Sequence, residues 1–290
     1  MISIRHTLLI AITFASFGVL GVHHAHAVTE VTREINILDK LVLDQPIIDI
    51  SEILTKHLDF PGCIGNLWPG NLTINVCKTW FTKLSLDAKD LETWNVTYPD
   101  VYISQTQLCD EPWVMCRHKN APYSMQNTSY YFGHIPVHMR THIHHVIALP
   151  ATNHGGKSAI NERDNVVLQG NPSFHDMLAA VAKSTAMYGY PGIVGPYSDS
   201  KNWLDAYNHD SAICNPVASL NQLENLAQET VMALVDLHTM TGMSGISTEW
   251  KKIQNQYTQI QKDIYLDALK PGKGAKCLAR DQVNSGAVEI

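Results

Sequence analysis

The strongest hydrophobic pattern in the chain lies between residues 165 and 187. The apolar run Val166-Val167-Leu168 predicts a buried strand, and after a short polar break the residues 174–187 have the spacing of a helix. Ser173 suits the N-cap of that helix, with Asp176 at its third position, where a carboxylate interacts favourably with the helix dipole and the free N–H groups. The pattern therefore predicts a strand, a turn and a capped helix.

Further helices are predicted where apolar residues recur at helical spacing. One covers residues 137–149, between Pro136, which suits a first helical position, and Pro150, which stops it. Another begins after Asn221, an N-cap residue with Glu224 three positions later. A third covers residues 249–268, with Trp250, Ile253, Tyr257, Ile260 and Ile264 on one face. Because this seam lasts only about two heptads, a helix docked on its own domain is favoured over a coiled coil.

The other segments carry weaker signals. Residues 28–58 predict a helix or two short strands, residues 61–69 a turn-rich segment, residues 79–91 a short helix, and residues 98–107 an extended segment. Residues 153–164 are polar and contain glycine, which predicts a loop, and the Gly- and Pro-rich residues 188–200 predict irregular structure. The chain thus combines strands with helices, and helices dominate its C-terminal half.

The first residues have the pattern of a secretory signal peptide. Arg5 precedes an apolar run over residues 7–22, and Ala25-His26-Ala27 matches an A-x-A cleavage site. A transmembrane anchor would need about 20 apolar residues, more than this run supplies, and no later stretch is apolar enough to span a bilayer. We expect residues 1–27 to be removed, leaving a secreted single domain over residues 28–290, in which residues 28–110 form a less clearly defined N-terminal subregion.

Composition narrows the classes of partner and predicts two kinds of modification. The formal net charge is -6 and no basic stripe is present, which argues against nucleic acid as a partner. Sequons at Asn71, Asn95 and Asn127 predict surface glycans in a secreted protein. An even number of cysteines predicts disulfides in such a chain; they are Cys63, Cys77, Cys109, Cys116, Cys214 and Cys277.

The pairing of these cysteines is open, because spacing does not fix connectivity. Proximity along the chain favours Cys63–Cys77 and Cys109–Cys116, which leaves Cys214–Cys277. A zinc site built from thiolates is the rival interpretation, but the chain contains no C-x-x-C pair.

Histidines and acids at several places can carry chemistry. At His175-Asp176 the residue four positions after the histidine is Ala179, so the stretch departs from the His-Glu-x-x-His zinc motif. The cap of the helix at 174–187 is an alternative, structural role for Asp176. Glu224 can supply a further ligand, or simply belong to a capped, solvated helix start. No G-x-S-x-G, Walker loop or dinucleotide fingerprint is present.

A histidine-rich run offers a second candidate. His138, His142 and His145 would lie on one side of the predicted helix at 137–149, and imidazoles at i and i+4 can chelate a divalent metal. The alternative is a solvated helix face, which needs no metal.

Several sequence blocks occur in order along residues 60–270. They lie at 112–121 (Pro-Trp-Val-Met-Cys-Arg-His-Lys-Asn-Ala), 133–140 (Gly-His-Ile-Pro-Val-His-Met-Arg), 145–150 (His-Val-Ile-Ala-Leu-Pro), 203–211 (Trp-Leu-Asp-Ala-Tyr-Asn-His-Asp-Ser) and 224–231 (Glu-Asn-Leu-Ala-Gln-Glu-Thr-Val). Together these blocks resemble the fungal conidiation-specific protein 13 family, a secreted family described as metallopeptidase-like.

The resemblance implies a zincin-like α/β domain with the zinc motif on the helix after the Val-Val-Leu strand. By position, His175 corresponds to the first motif histidine, Asp176 to the glutamate, and Glu224 to an acidic residue of a later helix, a candidate third ligand. The second histidine falls at Ala179 or is lost in a gap, and Asn215-Pro216-Val217-Ala218 stands where members often have Asp-Pro-Tyr-Ala.

These departures indicate a degenerate site. Catalytic zinc needs three protein ligands and an open position for water, and His175 with Glu224 provides two. Asp176 is one methylene shorter than glutamate, so as a general base it would reach a metal-bound water poorly.

The sequence therefore predicts a secreted, disulfide-bonded, glycosylated protein of the α/β (α+β) class, zincin-like, with little or no zinc and no efficient peptidase activity. We expect a binding or surface protein linked to conidiation or to contact with a host or the environment, whose partner is a protein, a peptide or a cell-wall component. One alternative is an active zinc metallopeptidase that recruits a replacement ligand from His154, His209 or Asp210. Another is a structural protein of the cell wall or spore surface.

Overall fold

A computed structural model of the chain describes residues 38–99, 111–151, 158–271 and 284–290. Several sequence predictions fall outside these ranges: the signal peptide, most of the extended segment at 98–107, His154, Cys109 and Cys277. All the described residues belong to one compact unit of the chain.

A six-stranded mixed sheet forms the centre of the structure. In spatial order its strands are β2 (Ile64–Leu67), β4 (Leu91–Thr97), β5 (Trp113–His118), β6 (His145–Leu149), β8 (Asn165–Gln169) and β7 (Ser158–Glu162). The strands β5, β6 and β8 are parallel, whereas the pairs β2–β4, β4–β5 and β7–β8 are antiparallel. Two small pairs lie apart from it: β1 (Leu41–Val42) with β9 (Ala212–Ile213), and β3 (Leu72–Ile74) with β10 (Ala287–Glu289).

Helices cover both faces of this sheet. The larger core lies on one face, where α3 (Met125–His134) and α5 (Phe174–Tyr188) contact the strands. The other helices of this core are α1 (Ser51–His57), α4 (Val137–Thr141), α6 (Lys201–His209), α7 (Gln222–His238) and α8 (Gln254–Asp263). The other face packs against α2 (Asn75–Lys83). The central strands therefore bury apolar side chains on both faces: in β6, Val146 and Ala148 join the larger core, while Ile147 and Leu149 join the smaller one. The chain is thus a mixed α/β protein. Of the described helices, none has both the length and the apolar character needed to cross a bilayer.

Several predicted elements are confirmed. Strand β8 contains Val166-Val167-Leu168, and α5 begins after Ser173 and ends at Tyr188, one residue beyond the predicted end. Helix α7 begins after Asn221, whose side chain accepts a hydrogen bond from the backbone N–H of Glu224. These elements set the position of the candidate site, because α5 and α7 pack on each other beside β7.

The helix predicted over residues 137–149 is wrong beyond Thr141. The helix α4 ends there, and His145–Leu149 is the buried strand β6, between β5 and β8. A short apolar run is compatible with either structure, and here the parallel neighbours decide it. His138, His142 and His145 therefore do not share a helix face, since His145 begins the strand.

The polar loop predicted over residues 153–164 is wrong from Ser158 onward. Residues Ser158–Glu162 form β7, a hairpin partner of β8. The turn between the two strands uses Arg163 and Asp164, both with positive φ. A turn of this kind normally shows Asn-Gly or Asp-Gly, so this sequence gave no turn signal for the hairpin.

Other boundaries also shifted. Residues 61–69 contain the strand β2, the helix expected at 79–91 is α2 and ends at Lys83, and residues 38–58 contain one short strand and one helix. The helix expected at 249–268 is a 3-10 turn at Trp250–Lys252 followed by α8, which ends at Asp263. Helix propensity and periodicity locate such elements better than they locate their ends.

The disulfide pairing inferred from chain proximity is wrong. Cys77 on α2 bonds to Cys116 on β5, across a sequence separation of 39 residues. Both cysteines face the smaller core, which joins α2 to the sheet. This bond uses one cysteine of each of the predicted pairs Cys63–Cys77 and Cys109–Cys116, so neither pair forms. Cys63 is a half-exposed free thiol and Cys214 a buried one.

Candidate functional site

A cleft lies between the edge strand β7, the helix α5 and the start of α7. Its volume is about 350 Å³. The wall along β7 and beside α7 is mostly apolar, with Ala159 on the strand and the exposed Val217 before α7. Asp176, Lys183, Glu224 and Gln228 contribute polar groups. The cleft therefore gathers the residues that correspond by position to the degenerate zinc motif.

Asp176 forms a capping box with Ser173 at the start of α5. The Asp176 Oδ2 accepts the Ser173 backbone N–H at 2.8 Å, and the Asp176 backbone N–H donates to Ser173 Oγ at 3.1 Å. Two N–H groups at the helix start are satisfied in this way. The structural role considered for Asp176 is confirmed, and it commits one carboxylate oxygen to the backbone.

His175 is buried beneath the cleft, with 1% of its surface exposed. Its Nε2 lies 2.7 Å from Gln228 Oε1 on α7, and its backbone N–H donates to Ser51 Oγ. Its Nδ1 is buried without a hydrogen-bond partner. Burial lowers the pKa of His175, although the hydrogen bond to Gln228 acts in the opposite direction. The imidazole is therefore neutral at pH 7.

Backbone contacts fix which proton His175 carries. The Ala218 backbone N–H donates to Asn215 Oδ1 at 3.0 Å, and Asn215 Nδ2 donates to the Ile47 carbonyl at 2.9 Å, so the Asn215 amide has one allowed orientation. Asn215 Nδ2 also donates to Gln228 Oε1 at 2.7 Å. Since Gln228 presents its oxygen, His175 must donate from Nε2 and leave Nδ1 unprotonated.

An ion pair occupies the part of the cleft near Ala179. Lys183, one helical turn beyond Ala179, places its Nζ 2.6 Å from Glu224 Oε1. Both side chains are mostly buried, with 16% and 20% of their surfaces exposed. The ammonium group of Lys183 therefore contacts the carboxylate of Glu224, the residue that the family resemblance assigns as a metal ligand.

These groups do not fit a catalytic zinc ion. His175 Nε2 carries a proton and donates it to Gln228, and the unprotonated Nδ1 is buried, so neither ring nitrogen is accessible to a metal ion in the cleft. Glu224 already faces a positive charge, and Ala179 offers no ligand atom. Across the described ranges, no group of three or more His, Cys, Asp or Glu side chains is placed to hold a metal.

The other candidate ligands have partners elsewhere. His209 is exposed at the end of α6, with its Nδ1 2.6 Å from the Asp205 carbonyl. Asp210 is buried and accepts three hydrogen bonds from Asn255 and Gln256. In the histidine-rich run, His138 and His142 are buried beside α4, and His145 Nδ1 lies 2.8 Å from Asn165 Oδ1.

Sequence reasoning missed three residues that define the cleft: Lys183, Asn215 and Gln228. Gln228 follows Glu224 by four residues, so the two share one face of α7, and that spacing was the available signal. A larger cavity of about 440 Å³ lies beyond α8, but its His238 is bonded to the Leu269 carbonyl and its walls mix aliphatic with charged side chains.

Comparisons with protein-family models, curated proteins and solved structures found no match. The resemblance to the conidiation-specific family stays a prediction that rests on the sequence blocks.

Proposed function

We propose that this protein is a secreted, non-catalytic binding protein of zincin-like architecture, which holds an extended polypeptide in the cleft beside β7. The observation that carries the proposal is the hydrogen bond from His175 Nε2 to Gln228. Because of this bond, His175 acts as a hydrogen-bond donor that orients Gln228 in the cleft wall, and its Nε2 is not available as a metal ligand.

The arrangement of elements supports the zincin-like part of the proposal. The Val-Val-Leu strand β8 leads into α5, as the family resemblance implies, and the antiparallel edge strand β7 lies next to β8. The later acidic position, Glu224, belongs to a helix that packs against α5. The edge strand β7 therefore forms one wall of the cleft.

Charge argues against the alternative of an active metallopeptidase. A divalent zinc at Glu224 would displace or face the Lys183 ammonium, and like charges at this distance disfavour each other. Recruitment of Asp210 would break its bonds to Asn255 and Gln256 and leave those donors unpaired inside the protein.

A polypeptide suits the cleft because β7 is the last strand of the sheet in the described part of the chain. A strand at a sheet edge presents backbone N–H and C=O groups to an added strand, and apolar walls accept alternate side chains. This feature favours a polypeptide partner over a purely structural cell-wall role, which would not require a cleft.

Zinc content tests the non-catalytic part of the proposal. We expect purified protein to carry clearly less than one zinc per chain by elemental analysis, and calorimetric titration with Zn²⁺ to show weak binding that His175→Ala leaves unchanged. His57→Ala, which changes an exposed histidine with no role in either alternative, is the matched control. One tightly held zinc per chain that His175→Ala removes and His57→Ala retains would contradict the proposal.

A further inference from the structure

Gln228 combines deep burial with a donor group that the protein does not use. Only 4% of its surface is exposed, and its Oε1 accepts bonds from both His175 Nε2 and Asn215 Nδ2. Within the described residues, its Nε2 has no hydrogen-bond acceptor, and this atom is not sealed from solvent. Since Gln228 lines the cleft, its NH₂ group is the part that faces the open space.

The orientation of this amide is fixed from the backbone outward. Ala218 and Ile47 orient Asn215, and Asn215 then requires an oxygen, not a nitrogen, at the inner end of Gln228. A flipped Gln228 would set two NH₂ groups against each other inside the protein, which leaves buried donors unsatisfied. The two donors of Nε2 are therefore held ready for an acceptor in the cleft.

The charges around Gln228 indicate which acceptor fits. Asp176 and Glu224 contribute two carboxylates to the cleft and Lys183 one ammonium group. A ligand carboxylate would meet a net negative surface, whereas a neutral carbonyl oxygen meets no such repulsion. The open edge of β7 adds backbone groups at the same cleft, which match the repeating amides of an extended chain.

We propose that the Gln228 carboxamide donates a hydrogen bond to a main-chain carbonyl oxygen of the bound polypeptide, and that His175 and Asn215 are positioning residues for it. This inference rests on the proposed polypeptide-binding function and names the ligand group that the cleft recognises. His175 thereby influences ligand binding indirectly, by fixing the orientation of the Gln228 carboxamide.

Nuclear magnetic resonance of the full mature chain, labelled with nitrogen-15 at glutamine, tests the contact directly. The probe is trialanine capped at both ends, and the comparison probe is the trimer of N-acetylglucosamine, which also carries amide carbonyls. The spectrum of Gln228→Met identifies the Gln228 side-chain NH₂ signals by their absence. We expect capped trialanine to shift those signals saturably and to leave the exposed Gln126 unchanged.

The positioning role has its own readout. His175→Ala and Asn215→Ala should change the Gln228 NH₂ signals without ligand and reduce their response to the probe. A purely structural role would leave the response of folded protein intact. No shift at Gln228, or a shift with the sugar alone, would overturn the inference.

An array of capped octapeptides separates this inference from the proposed function. We expect wild-type protein to bind a subset of peptides, with Gln228→Met weakening their affinity about three- to tenfold, the range expected for one neutral hydrogen bond. Gln228→Glu keeps an oxygen toward His175 and Asn215 but sets a carboxylate toward the ligand, so the loss should be larger. Gln126→Glu adds the same charge elsewhere and should bind normally. Peptide binding unaffected by either Gln228 variant would leave the function standing and overturn the inference, whereas no peptide binding would overturn the function.

Discussion

Glu229 on α7 is a carboxyl group held inside the protein. It has no exposed surface, and the polar groups beside its carboxyl are the thiol and backbone of Cys214. Burial raises its pKa well above the ordinary value, and the nearby Asp210 raises it further, while the Cys214 thiol has a smaller opposing effect. Folding therefore favours the protonated form of Glu229, whereas in the unfolded chain the carboxyl is ionised at neutral pH.

This residue should destabilise the protein as pH rises. Its folded-state pKa lies above the unfolded value of about 4.3, so the stability it contributes is present below that pH and is lost as pH rises toward the folded-state pKa. We expect Glu229→Gln to be more stable than wild type at pH 8, by about 1–3 kcal/mol, and the gap to shrink at pH 4. Urea unfolding at both pH values measures this difference, with the exposed Glu52→Gln as control. An equal gap at both values would show that Glu229 does not titrate in this way.

At this scale the sequence was informative where a contact is local. The capping box of Ser173 and Asp176 could be predicted, because both partners lie within one helical turn. The partner of His175 could not, since Gln228 lies 53 residues away and its orientation depends on Asn215 and the backbone beside it. The position of the Lys183 ammonium group in the cleft could not be predicted either, because it depends on the packing of α5 on α7.

Among the elements, α2 depends most on a covalent tie. It is the described helix on the smaller-core side of the sheet, and the Cys77–Cys116 disulfide joins it to β5. Its other anchors there are the buried Trp80 and Phe81. The bond closes a loop of 39 residues, which should restrict the unfolded chain considerably.

Removal of this disulfide should lower stability strongly. For a loop of this length we expect Cys77→Ala combined with Cys116→Ala to reduce the free energy of unfolding by about 4 kcal/mol. The double change avoids leaving one unpaired thiol in the core. Cys63→Ser, at a free and half-exposed thiol, is the matched control and should change little. If urea unfolding showed both variants near wild type, α2 would be held by its apolar contacts alone.

Elements were predictable where pattern and packing agreed. The strand β8 and the helix α5 combine a clear apolar pattern with a cap and a polar break. The segments that became β6 and β7 lacked such signals, because β6 has the composition of either element and β7 is half-exposed and depends on pairing with β8. Tertiary partners decided both cases.

At the scale of the whole molecule, buried histidines set the response to acid. Burial lowers the pKa of His118, His134, His138, His175 and His238. They lie on different elements, from β5 to α7, so no single site accounts for the effect. In the unfolded chain these groups would titrate near pH 6.5.

Acid should therefore unfold the protein from about pH 6.5 downward. Because the folded-state pKa values lie below the unfolded value, the unfolded chain binds more protons, and stability is lost as pH falls through this window. Each histidine contributes about 1.4 kcal/mol for every unit of pKa difference. Glu229 and Asp210, whose carboxyl pKa values are raised by burial, act with the opposite sign, but they are two groups against five histidines.

Urea unfolding at pH 5, 6 and 7 measures this slope. His134→Gln should flatten it, since an amide can still donate to the Leu58 carbonyl that His134 Nδ1 contacts, but cannot take up a proton. His209→Gln changes an exposed histidine and should leave the slope as in wild type. If wild type and His134→Gln lost stability in parallel, His134 would make no contribution to the acid transition.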